Sequence, residues 1–197
     1  MSEASGASRE RALQERRALC DGTPLGVLGS LVLAGAWVWG LGDTPIRGAA
    51  TTWLAVMAAV LLARLLIWYR CRNSIAGTEP ADSARWRFRF RLGLLASGVI
   101  WGVAGLFFVP EVPAAGQVFL GMAILGVCAS GLSWLPADRA GFYVLIFPAL
   151  FGTAVGFGRA GGDFAVLMIL AIALFAAYLV FNADRINRQF KLIHRQA

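Results

Sequence analysis

Few side chains in this sequence can do chemistry inside an apolar environment, and each stands nearly alone. Arg64 is the one charge within a long apolar run, in LLARLLIWY. A guanidinium placed there takes an ion-pair or ligand role, or else reaches back along its own stem to the surface. Arg64 lies five residues before Tyr69, about 7 Å of helix, so both options are open to it. Pro148, in FYVLIFPAL, removes one helical hydrogen bond and can kink a helix around a cavity. Arg64 and Pro148 therefore form the candidate intramembrane polar site. Ser130 and Ser133 lie in CASGLSWL with no base nearby to activate them. The only histidine, His194, follows the last apolar run, which leaves no partner for a serine protease of the rhomboid type and no bis-histidine haem ligation. Neither HExxH nor a glycine-rich phosphate loop followed by lysine occurs. Cys20, Cys71 and Cys128 are far apart, odd in number and without a CxxC spacing, so they indicate neither a zinc site nor a disulfide framework. Cys128 reads as a small packing residue. The expectation is a chain with no catalytic residue, no cofactor and no metal, and hence not an enzyme.

The elements that must position these residues follow from composition. Of the 197 residues, 58 % are hydrophobic and 15 % charged, against about half apolar in soluble domains. A membrane helix needs roughly 20 apolar residues, and six segments qualify. They run from Pro24 to Leu41, Ala49 to Tyr69, Leu92 to Val109, Gly116 to Leu135, Gly141 to Phe157 and Phe164 to Phe181. The later connections, VPEVPAAG, PADRA and GRAGGD, have turn compositions. The first segment carries Trp37 and Trp39 where a cleaved signal needs small residues. The fold class expected is an all-α polytopic membrane bundle of six transmembrane helices, followed by a C-terminal cytoplasmic helix.

Charge gives the orientation. Fifteen of the 18 basic residues fall on one side of such a serpentine: Arg9, Arg11, Arg16 and Arg17; Arg70, Arg72, Arg85, Arg87, Arg89 and Arg91; Arg139; and Arg185, Arg188, Lys191 and Arg195. Arg47 and Arg159 alone fall on the other. Both termini then lie on the basic, cytoplasmic side (N-in, C-in) of a bacterial inner membrane. The formal charge of +7 sits at the ends of apolar segments. The partner it implies is a bilayer with anionic headgroups, not nucleic acid. In WRFRFR, Arg87 and Arg91 share a helical face while Arg89 points elsewhere, so Trp86, Arg87, Arg89 and Arg91 form a collar of interface anchors. Trp68 and Tyr69 mark the same interface at the end of the second span.

Small residues recur at four-residue spacing: Gly98 and Gly102, Gly152 and Gly156, Gly26, Ser30 and Ala34, Gly126 and Ser130. Together they favour a compact bundle. The end of the chain, NADRINRQFKLIHRQA, places Ala183, Ile186, Phe190 and Ile193 at three- and four-residue spacing, the a/d seam of a coiled coil. Leu179 and Ala176 extend it back into the sixth span. One helix is thus expected to leave the membrane unbroken and present a signalling seam, and a parallel homodimer follows from it. An amphipathic helix lying on the membrane surface is the alternative.

Trp86, Arg87, Phe90, Gly93, Gly98, Trp101 and Gly102, followed by FLGMAILGVCASGLSWL, a span with Phe-Pro and a last span running into a charged helix, resemble a known type. It is the N-terminal multi-span sensor module of bacterial signalling proteins, mainly diguanylate cyclases and hybrid histidine kinases. The likeness covers residues 86–197. It implies signal transduction, of the two-component or cyclic-di-GMP kind, from the membrane through the exit helix to a cytoplasmic output domain or partner kinase or cyclase. The sequence departs from the type in carrying no GGDEF motif, no kinase histidine box and no ATP-binding motif. The organisation expected is a basic cytoplasmic segment (1–21), a six-helix transmembrane domain (22–182) and a coiled-coil-like signalling helix (183–197). The function expected is relay of a membrane or small-molecule signal; a small multi-pass transporter or channel-like protein is the other reading.

Overall fold

Within lipid a chain must satisfy every backbone N–H and C=O internally, which an uncharged run of this length does as a helix. The computed structural model describes residues 23–73, 80–135 and 138–196, with side chains except those of 23, 80–84, 133–134 and 187–196. The basic segment 1–21 lies outside the described residues. Among the described residues six α-helices follow one another: α1 (Thr23–Gly40), α2 (Arg47–Asn73), α3 (Pro80–Phe108), α4 (Ala114–Trp134), α5 (Arg139–Ala160) and α6 (Gly162–Gln196). A 3-10 turn over Val109–Glu111 separates α3 from α4. No strand occurs among the described residues.

Five of these helices, α2 to α6, are long and apolar enough to cross a membrane. The apolar stretch of α1, Pro24–Gly40, is shorter. Its 17 residues span about 25 Å, against a hydrocarbon core of about 30 Å. Two helices overrun the segments seen in the sequence. The third begins at Pro80, twelve residues before Leu92, so the arginine collar is helical throughout. The sixth continues unbroken from Gly162 to Gln196, about 50 Å at 1.5 Å per residue. Between α5 and α6 the chain reverses through Gly161 (φ 72°) and Gly162 (φ 83°), a left-handed geometry open to glycine at little cost.

The centre of the bundle is the α3–α5 pair, which skips α4 in sequence. The two helices run in the same direction: Arg91, the twelfth residue of α3, meets Asp138 at the start of α5, and Arg159 donates to the Leu106 carbonyl at their ends. Between these points their backbones touch. A methyl group on Gly98 would land on the Leu145 carbonyl oxygen, and one on Gly102 on that of Pro148. From the other side, methyl groups on Gly152 and Gly156 would strike the carbonyls of Gly102 and Gly105. The two glycine pairs seen in the sequence are thus two halves of one crossing. Around this pair, α2 packs on α3, α1 on α2 and α4, and α4 and α6 on α5. Burial grades accordingly: 56 % of the apolar window of α5 is inside, but only 17 % of that of α6. At the end of α3 the interior is aromatic. Trp37, Trp53, Trp101 and Phe108 lie with ring centroids 5.1–6.1 Å apart, and the Trp53 indole donates to the Ile100 carbonyl (2.9 Å).

Candidate functional site

Two consecutive residues at the start of α5 gather the polar contacts of the bundle. Asp138 precedes the helix and caps it, accepting from the Gly141 amide (3.2 Å). A carboxylate there satisfies an orphan N–H and faces the positive end of the helix dipole. It is 5 % exposed. Arg91 crosses from α3 and holds it as a fork: Nε donates to both oxygens (3.2 and 3.0 Å) and Nη2 to Oδ1 (2.7 Å). The fork is the strong geometry for a guanidinium and a carboxylate.

Arg139 turns the other way, toward α6. Its Nη2 donates to Oδ1 of Asp184 and to the hydroxyl of Tyr143 (3.3 Å). The Tyr143 hydroxyl in turn donates to the same Asp184 oxygen (2.9 Å), and the Arg139 guanidinium lies 5.8 Å from the Tyr143 ring centre. Asp184 is thus tied to α5 by two donors one turn apart. The Arg139 and Asp184 side chains are 40 % and 34 % exposed, so water competes for this ion pair and it is weak by nature. A deeper joint (Arg91–Asp138) and a more exposed one (Arg139–Asp184) therefore stand side by side, the second on the C-terminal part of α6. Beneath it lies a cleft lined by Leu132, Leu135, Arg139, Phe142, Ala183 and Ile186.

The residues singled out in the sequence divide between surface and interior. Phe88 (69 % exposed) and Arg89 face outward, with the Arg89 guanidinium over the Trp86 ring (5.6 Å). Trp68 carries Arg72 over its ring (5.7 Å), and Tyr69 is exposed. Arg87 is half-buried, and Arg91 is the member of the collar that points to Asp138. Arg64 does not reach the surface. It is 5 % exposed, its stem lies against Gly93, and Nη1 donates to the Ser97 hydroxyl (3.0 Å), which donates to the Gly93 carbonyl (3.0 Å). Pro148 is half-buried with its carbonyl at Gly102, so its place is the helix crossing. Ala183 is buried (7 % exposed) against its own bundle and Ile186 lines the cleft. The side chains of Phe190 and Ile193 lie outside the described residues. Among the described residues, no three of the histidine, cysteine, aspartate and glutamate side chains stand together as metal ligands.

Asp138, Tyr143 and Asp184 were not singled out in the sequence. Asp138 has a local signal, a capping residue directly before a helical run. Tyr143 and Asp184 are more than forty residues apart, and nothing local joins them. Arg64 carries a prediction: Ser97→Ala removes the acceptor of a buried guanidinium N–H and is expected to cost about 1–3 kcal/mol in reversible unfolding from mixed micelles. Unchanged stability would mean that the Ser97 bond carries no weight.

No protein-family model, curated protein or solved structure matches this chain.

Proposed function

We propose that the chain is a signal-transducing membrane module that relays a membrane-borne or small-molecule signal through α6, with no catalysis of its own. It sits in a bacterial inner membrane with both termini in the cytoplasm, and α1 supplies the sixth crossing. A 17-residue apolar stretch is at the short end of what spans a bilayer. The single observation that carries the reading is the joint at the exit of α6. A continuous 35-residue helix rests lightly on a core whose two central helices are locked backbone to backbone. It is held at the point of exit by the half-exposed Arg139–Tyr143–Asp184 contact. Such a construction has two discrete arrangements, joint closed and joint open, and a signal need only favour one of them. In the cytoplasm α6 hands its position to an output domain or a partner kinase or cyclase, within a parallel homodimer.

The described geometry constrains that dimer. Ala183 faces its own bundle when the joint is closed, so the seam can pair with a second copy only beyond Ile186 or after release. An Ala183→Cys variant in lipid nanodiscs is expected to react slowly with maleimide and to cross-link poorly between copies. Adding Asp184→Asn should raise both several-fold. Equal reactivity in the two backgrounds would show that the contact does not hold α6.

The relay itself is tested by phasing. The chain is fused through Gln196 to a cyclase domain, and alanines are inserted one at a time at the junction. Output is expected to rise and fall with a period near that of a heptad seam, about 3.5 residues. A flat response would sink the relay reading.

A further inference from the structure

We draw no further inference here: the strongest candidate, the outward face of α6 on which Leu167, Leu170, Leu174, Tyr178 and Phe181 stand exposed at helical spacing, is an unpartnered apolar face, and nothing in the structure shows whether lipid or a second copy of the chain covers it.

Discussion

Gly102→Leu is expected to be among the most damaging single substitutions in this protein, at about 3 kcal/mol or more. Overpacking a core commonly costs about 1–3 kcal/mol because neighbouring side chains can shift. Here the obstacle is backbone: the first carbon of the new side chain meets the Pro148 carbonyl oxygen, and neither helix can yield without the pair moving apart. Separation would also break the opposing contacts of Gly152 and Gly156 and strain the Arg91–Asp138 and Arg159–Leu106 joints at the two ends. The contrast is Gly126→Leu. Nothing lies within 4 Å of a Cβ at Gly126, and removing a helical glycine is favourable by up to about 1 kcal/mol. The check is reversible unfolding of both variants from mixed micelles, where a shared change would show that the crossing is not tight. Gly102→Ala and Gly152→Ala together should cost less than the sum of their separate effects, because one opening of the same gap accommodates both methyl groups.

The glycine spacings show how far sequence carries in this chain. Gly98, Gly102, Gly152 and Gly156 were visible as close-approach motifs, and so were Gly126 and Ser130. Spacing of four gives a helix face and says nothing of what meets it, so the true pairs and the idle one look alike until α3 and α5 are seen together. The helix faces themselves were more legible. In α3 the buried strip Leu94, Gly98, Trp101 and Gly105 follows the helical repeat, and Arg91 lies one step before Leu94 on the same strip. In α2, Ala50, Trp53, Met57 and Leu61 lead to Arg64 in the same way. Register alone therefore aims both arginines inward, whereas charge alone places them at the headgroups. Among the tryptophans, Trp37 (2 % exposed) and Trp101 (0 %) are core residues and Trp39 (83 %) is not; the difference again is which strip of the helix each occupies. The joint at Asp184 was not legible, because its cation and hydroxyl come from α5, more than forty residues away.

The Arg91–Asp138 pair yields the other large effect, and its two halves are expected to differ. Arg91→Ala leaves a carboxylate that is 5 % exposed without its cation. Removing one partner of a buried pair costs about 3–5 kcal/mol, and the Gly141 amide, which Asp138 retains, places the expected loss near the lower end. Asp138→Ala leaves the arginine instead, and that side chain is already 41 % exposed. Its guanidinium can turn to water or headgroups along its own stem, so the loss is largely the cap, about 1 kcal/mol, plus part of a charge-assisted bond, for a total of about 2 kcal/mol. Arg91→Ala should therefore be the more harmful, and the double variant should be more stable than Arg91→Ala alone, because it removes the stranded charge. The order of the three in reversible unfolding is the test. If the two single variants lost equal stability, Asp138 would be as well hydrated as Arg91, and the joint would be a surface contact. The order expected here makes it the fixed end of α5, on which the proposed relay through Arg139 and Asp184 depends.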